Sequence, residues 1–544
     1  MARAVTSYVA SLFGSEELAD CVVIFCQAQS DVAKAPPAKR RKKAGAGQQN
    51  GPAPPIGDPL PAHRLTLFGG SARLRSQAER WTLEQTAGGS KPELRVPLGS
   101  PEDLPHALSA LRFLYTGKVD GSSAAQLLQV RRQAAYLLVE GCVEACDTAL
   151  LDRIAGDLVP QQAGGTARSS GSSPLAPVAE LFACRHLLPD AAESGGDTAT
   201  EVVMRLCRVQ LVLHSRAIAA SQGTANASGD LGDLLAWAFG DVPSLLCNPG
   251  ARAQMLRLPV AAMEALLGSD SFATDDEAMV LLVLAQWREA NKAPFASACD
   301  RLCRLVRLSQ LTEDYLHDTL PHIPWFPLSA AEHAFLRQHV SSAGQAKKRQ
   351  ALEAAAAGLY DTTSPWYAAG ARPCGRSDLN RRYDWYVDQE DLEKGLAAPQ
   401  AAIRLTGRFD TGDKRLVSRG LEWFPSIRAK ATDEMAGVFI HALAPAALCL
   451  PESVERIRLA STSVRVVVCR WAGEGDGSWV EAYSKKYLRE EYCTEVGGGL
   501  GVPSALPLAK ALAAGAPGGD GVSQLRRWSE YLHDDTLLGS LTFV

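Results

Sequence analysis

The chain has 544 residues, enough for about three to four cores at the roughly 150 residues of a typical domain. Apolar residues at 46% and charged residues at 21% are close to the average of folded proteins, which excludes wholesale disorder and a collagen-like or coiled-coil rod. With 56 Lys plus Arg against 60 Asp plus Glu the net charge is −4, so no global field draws the chain to polyanions and nucleic acid is disfavoured as a partner.

From the N-terminus, Met1 to Phe13 is followed by acidic Glu16, Glu17 and Asp20 without a small-residue cleavage site, so no secretory signal is expected. Asp20-Cys21-Val22-Val23-Ile24-Phe25 is a short β-branched run and predicts a strand. Residues 27–62 carry seven prolines and the basic run Lys39-Arg40-Arg41-Lys42-Lys43, a composition that predicts a disordered basic insertion. Leu104, Leu108, Leu111 and Leu114 recur at helical spacing, as do Leu137, Leu138, Cys142 and Cys146. The first region is therefore α+β. Residues 160–177 read as a Gly/Ser/Pro linker and domain boundary, and Ser221 to Gly232 as a smaller polar loop.

Between about 178 and 345 the apolar spacing is helical throughout, as in Met255 to Leu267, Asp275 to Asn291 and Phe295 to Leu308. Thr274-Asp275-Asp276-Glu277 places acids where a helix start carries partial positive charge. Beyond an Ala-rich helix after Gln350, alternating or β-branched runs at Ala402 to Phe409, Gly437 to Ala442, Ser463 to Arg470, Ser478 to Tyr483 and Leu537 to Val544 predict a strand-rich region over 380–544. Gly497 to Gly521 reads as a long loop inside it. Met435 to Leu450 is the longest uncharged apolar stretch, but it contains His441 and Pro445 and falls short of the ~20 residues of a spanning helix, so no membrane segment is expected.

The common catalytic signatures are missing from the sequence: G-x-x-x-x-G-K-[ST], H-E-x-x-H and G-x-S-x-G. Gly497-Gly498-Gly499-Leu500-Gly501 lacks dinucleotide-loop spacing. Cys142/Cys146 and Cys299/Cys303 each share a helix face, yet a structural zinc site needs four ligands and no partner stands at familiar spacing, so small core residues are the expectation. Asp275-Asp276 and Asp534-Asp535 are adjacent carboxylates, which suits a helix start and a loop better than a catalytic pair on facing walls. Thirteen cysteines, odd in number and spread thinly, fit a reducing compartment, and the Asn226-Ala227-Ser228 sequon matters only in a secreted chain. No catalytic residue, cofactor or metal is expected.

Several motifs stand in a definite order. Phe13-Gly14-Ser15 and Leu18-Ala19-Asp20-Cys21-Val22 are followed by Pro61-Ala62-His63-Arg64-Leu65 with Leu67 and Ser71. Leu111 to Gly117, ending Tyr115-Thr116-Gly117, and Ala134 to Cys146 come next. Residues 5–150 thus resemble a BTB (POZ) domain, with 27–62 inserted where that family has a short strand connection. Its signature falls on Asp20, His63, Arg64, Ser71, Tyr115 and Gly117. Independently of the family, Asp20 stands where it can accept backbone donors, and His63 is expected to make a structural hydrogen bond. Leu258-Pro259, Leu266-Leu267, Asp270, Thr274 to Glu277, Trp287, Leu305 to Leu308 and Tyr315-Leu316 make residues 178–345 similar to the helical BACK domain. Trp385, Gly420 to Trp423, Gly437 to Ile440 and Asp534 to Phe543 resemble a MATH/TRAF-like β-sandwich over 380–544. Together these imply a multidomain α+β protein of BTB, BACK and C-terminal β-sandwich, like plant-type cullin-three substrate adaptors.

The resemblance implies a non-enzymatic, homodimeric adaptor of a cullin-RING ubiquitin ligase, in which the BTB-like part grips a cullin-three-type scaffold and the sandwich holds an unidentified protein substrate. Ubiquitin transfer would belong to partner subunits. Leu67, Leu74 and Tyr115 are the cullin-facing candidates on this reading, each equally suited to a core. The family's apolar-x-Glu element is not matched, because Gln77 and Thr82 precede Glu79 and Glu84. The competing expectation is a nuclear BTB scaffold for transcription or signalling partners, for which Lys39 to Lys43 would engage an import receptor. The two readings place the protein in the nucleus, the cytoplasm or both, away from membranes.

Overall fold

The structure is a computed structural model and describes residues 2–28, 54–81, 91–156, 175–189, 198–221, 225–374, 380–396, 403–410, 412–430, 433–451, 463–472, 478–488, 498–509 and 525–544. The chain forms two compact units, Met1–Gln210 and Leu211–Val544.

In the first unit, α1 (Ala2–Ser11) leads into β1 (Cys21–Gln27), whose Val22, Val23, Ile24 and Phe25 favour the extended state. β2 (Leu60–Ala62) pairs antiparallel with β1. After α2 (Arg64–Gly70) and α3 (Ala72–Trp81), β3 (Glu93–Leu98) joins its other side in parallel, giving the order β2-β1-β3. α4 (Leu104–Thr116) follows a capping box in which Ser100 and Asp103 satisfy each other's backbone donors, and it ends at Gly117 in the left-handed conformation. α5 (Ala124–Leu137) starts at Ser123, whose side chain accepts from Gln126 N–H, and α6 (Cys142–Ala155) packs beside it. Val23, Phe25, Val96, Leu111, Ala134 and Cys146 share one core.

Two expectations change here. Residues 54–62 are folded, with Cys26 bridging Pro55 and Ile56 N–H donating to Phe25 O at 2.7 Å. Proline is tolerated because β2 is an edge strand with no further ladder to supply. Residues 29–53, with Lys39, Arg40, Arg41, Lys42 and Lys43, lie outside the described residues. The expected boundary at 160–177 is displaced, because α7 (Ala176–Ala183) belongs to the first unit. Its Glu180 accepts from Ala124 N–H at 2.8 Å and pairs with Arg153 at 2.8 Å. The division instead falls within α8 (Thr198–Ser221).

The second unit begins with helices α9 (Ala225–Phe239), α10 (Val242–Cys247), α11 (Pro249–Met255), α12 (Val260–Gly268), α13 (Glu277–Ala290) and α14 (Lys292–Cys303), followed by α15 (Ala330–Ser341), α16 (Ala346–Ala355) and α17 (Pro365–Ala368). α13 is central, with Glu277 through Ala285 and Trp287 all buried. It starts where the acidic run predicts: Asp276 Oδ1 accepts from Ala278 N–H at 2.9 Å. Glu277 forms a buried pair with Arg372 at 3.0 Å, and the guanidinium also donates to the carbonyls of Ser269 and Leu267, so the buried charges are fully hydrogen-bonded. The polar loop expected over Ser221 to Gly232 is instead helical from Ala225. At Gly232 a Cβ would sit 2.5 Å from Ala265 O, so only glycine permits this approach of α9 to α12.

The remaining strands are β4 (Arg382–Asp388), β5 (Ile403–Thr406), β6 (Arg408–Phe409), β7 (Leu416–Ser418), β8 (Leu421–Ala429), β9 (Met435–Leu443), β10 (Val464–Trp471), β11 (Trp479–Tyr487), β12 (Gly499–Pro507), β13 (Leu532–His533) and β14 (Thr536–Phe543), with helix α18 (Gln389–Leu396) after β4. One antiparallel sheet runs β11-β10-β14-β4-β6 and the other β12-β9-β8-β5. Trp385, Val466, Leu541 and Phe543 of the first meet Leu405, Trp423, Ile427 and Ile440 of the second in a single core, which makes a two-sheet sandwich. The long loop expected over Gly497 to Gly521 is in part strand β12, paired with β9 from Gly499–His441 to Pro507–Met435.

The β7–β8 turn joins sandwich to helices. Arg419 (φ 53°) and Gly420 (φ 73°) form a two-residue turn with both φ positive. Gly420 N–H donates to Met279 Sδ at 3.1 Å, and a Cβ on Gly420 would lie 2.7 Å from Ala278 Cβ and Tyr315 Cε2. Trp325 Nε1 donates to Leu448 O at 3.1 Å, a second tie between the same two parts.

Candidate functional site

The signature residues of the first unit assemble into a hydrogen-bonded frame. Asp20 Oδ1 accepts from Arg64 N–H at 2.8 Å. His63 Nε2 lies 2.8 Å from Glu17 O, a pure acceptor, so Nε2 carries the proton. Nδ1 then accepts from the Tyr115 hydroxyl at 3.2 Å, whose oxygen accepts His63 N–H at 3.1 Å. Burial, partly offset by that N–H donor, pushes the Tyr115 phenol up to about 12. Ser71 Oγ donates to Leu137 O at 2.6 Å and accepts from Leu74 N–H at 3.2 Å, tying α2 and α3 to the end of α5. These roles are architectural.

Leu67, Leu74 and Tyr115 cannot face a partner from the folded state. Their exposures are 0%, 0% and 3%, since each inserts into the core between sheet and helices. The exposed apolar side chains on the same segments are Leu65 at 89% and Leu18 at 70%. Val5 and Tyr8 on α1 are also exposed.

Cys142, Cys146 and Cys303 are buried, and Cys299 is half-buried. The hydrogen bond between the thiols lowers Cys142 and, with burial, raises Cys146; burial raises Cys303. Among the described residues no group of three or more His, Cys, Asp or Glu could hold a metal ion, and no helix is long and apolar enough to cross a membrane.

A denser cluster lies on the sandwich. Along β8, Leu421, Trp423, Ile427 and Ala429 enter the core, so Phe424, Ser426 and Arg428 point the other way. Register places Arg404 of β5 directly opposite Arg428, and His441 of β9 opposite Phe424. Ser426 Oγ lies 2.9 Å from His441 Nε2, with Arg404 Nη2 at 3.4 Å and Arg428 Nη2 at 3.5 Å from the same atom. Nε2 is thus the point on which the Ser426 hydroxyl and both guanidinia converge. His441 stacks on Phe424 at 4.7 Å and 11°, while Arg428 lies 4.5 Å over the Phe439 ring and Arg404 5.8 Å over Phe424. Gly499 and Gly501 of β12 face the His441 and Phe439 rings, which lie flat because no Cβ stands there. The motif search of the sequence misses this site; its visible trace is the alternation Phe424-x-Ser426-x-Arg428 against Gly499-x-Gly501.

With these features in place the chain is a multidomain α+β protein whose middle helices precede antiparallel sheets. Residues 251–321 match the model of the BACK family, described as BTB And C-terminal Kelch. The match runs from α11 through α14 to the turn at Leu320–His322 and includes Asp276, Glu277 and Tyr315. No curated protein matches the chain.

Proposed function

We propose that the protein is a non-catalytic BTB–BACK adaptor that recruits a protein substrate to a cullin-three-type RING ubiquitin ligase, with residues 380–544 as a MATH-like substrate-holding sandwich. The observation that carries this reading is the BACK match at 251–321, set between an N-terminal unit whose Asp20, His63, Arg64, Ser71, Tyr115 and Gly117 serve one frame and a C-terminal sandwich. BACK domains are typical of such adaptors. The two-sheet packing of the C-terminal strands supports a sandwich over the radial four-stranded blades of a propeller.

On this reading the N-terminal unit homodimerises and engages the cullin through exposed side chains such as Leu18 and Leu65, in place of the buried Leu67, Leu74 and Tyr115. Mixing the full chain with the N-terminal domain of a cullin of this type tests it. Saturable binding in the low micromolar range, weakened by L18D/L65D, is expected; no binding at about 50 µM overturns it.

The second reading, a nuclear scaffold without a ligase role, rests on Lys39, Arg40, Arg41, Lys42 and Lys43 as an import-receptor segment. Replacing all five by Ala and finding unchanged localisation removes its support. Nuclear or cytoplasmic residence is part of both proposals.

A further inference from the structure

The Arg404–Arg428 pair is costly as it stands. Like charges directly opposite on neighbouring strands repel, and here both guanidinia lean over one imidazole nitrogen. Among the described residues neither forms an ion pair, whereas Arg408, Arg415 and Arg465 of the same sandwich each have a carboxylate at 2.5–2.9 Å. The aromatic and imidazole contacts of the two guanidinia leave both positive charges without a counter-charge.

What surrounds them suits an extended peptide. The Phe424 and Phe439 rings carry the two guanidinia, Gly499 and Gly501 keep the β12 side low, and the hydroxyl of Ser426, 1% exposed, and His441, 1% exposed, form a polar floor beneath the guanidinia. The guanidinium fork matches a carboxylate with two parallel N–H···O bonds, and partial desolvation strengthens them. Among the described residues each guanidinium has a single hydrogen-bond contact, to His441 Nε2, so further N–H groups of both arginines remain for a ligand.

We propose that this face of the second sheet binds an extended acidic peptide segment, its Asp or Glu carboxylate seated between Arg404 and Arg428. The inference deepens the reading of the sandwich as substrate holder and rests on it: the recruited substrate is selected by side-chain carboxylates.

The test uses the full chain and three dye-labelled peptides identical except at two positions, which carry Glu, Gln or phosphoserine. At low salt, fluorescence anisotropy is expected to show the Glu peptide binding at least about 10-fold more tightly than the Gln peptide, with the advantage shrinking as salt rises. R404A/R428A should abolish that advantage. R404E, at an exposed position, should reverse it without loss of fold, which thermal unfolding checks. Equal binding of Glu and Gln peptides, binding of the phosphoserine peptide alone, or an unchanged preference in the folded variants would each overturn the proposal. Loss of Glu preference with cullin binding intact overturns this inference only; Glu preference without cullin binding overturns the adaptor reading only.

Discussion

At the residue scale, His63 and Tyr115 hold each other in one protonation pattern: the imidazole bridges Glu17 O and the phenol, and the phenol returns to the His63 backbone. His63→Ala leaves the buried Tyr115 hydroxyl without its acceptor and Glu17 O without its donor. The expected loss of stability is about 1–3 kcal/mol, read from denaturant unfolding of the first unit. Ser71→Ala, which removes one donor and one acceptor, should cost roughly 1–2 kcal/mol in the same assay. Asp276 gives a pH signature instead. Desolvation, opposed by the Ala278 N–H and the Arg419 charge, raises its carboxyl to about 6. A carboxyl raised above its unfolded value, near 4, contributes stability that is fully present below that value and lost as pH rises through about 6. Asp276→Asn keeps an acceptor for the helix start and cannot ionise. Relative to the natural chain, the variant should therefore gain on the order of 1–3 kcal/mol on going from about pH 4.5 to pH 7.5; a constant difference across that range would contradict the assignment.

At the element scale, glycine decides where the sequence was legible. The β-branched runs of β1 and β10 and the acid-marked start of α13 announce themselves because local propensity and tertiary role agree. α9 and β12 do not, since Gly232 in the one and Gly499 and Gly501 in the other serve contacts with Ala265, His441 and Phe439 that are remote in sequence. The substrate-face candidates escape for the same reason: Arg404, Arg428 and His441 lie on three strands, and only register brings them together. The frame around His63 is readable because its motif order is, whereas the burial of Leu67 and Leu74 depends on how helix and sheet pack. The Arg419-Gly420 turn carries the same logic into a prediction. Gly420→Val demands a positive φ of a β-branched residue and drives methyl groups into Ala278 and Tyr315. Stability of the second unit should fall by roughly 2–4 kcal/mol, with faster hydrogen exchange in Leu416–Ser418 and at the start of α13.

At the scale of the molecule, helices and sandwich of the second unit should unfold together. The turn lies on Met279 and Tyr315, and Trp325 reaches Leu448 O. Arg288 also lies 3.5 Å from the Cys449 thiol. Ala278 and Met279 of α13 receive the turn, so helices expressed without strands would lose that cover over part of their surface. A fragment spanning 225–544 is expected to melt in one transition seen alike by tryptophan fluorescence and far-ultraviolet circular dichroism. A fragment spanning 225–374 should melt about 5–10 °C lower and bind a hydrophobic dye. Two separated transitions in the longer fragment would mean that the contact is too weak to couple the parts, and the sandwich would then swing freely from its helices. A single transition that Gly420→Val splits into two would instead place the coupling in this turn, holding the sandwich at a fixed distance and angle from the helices that carry it.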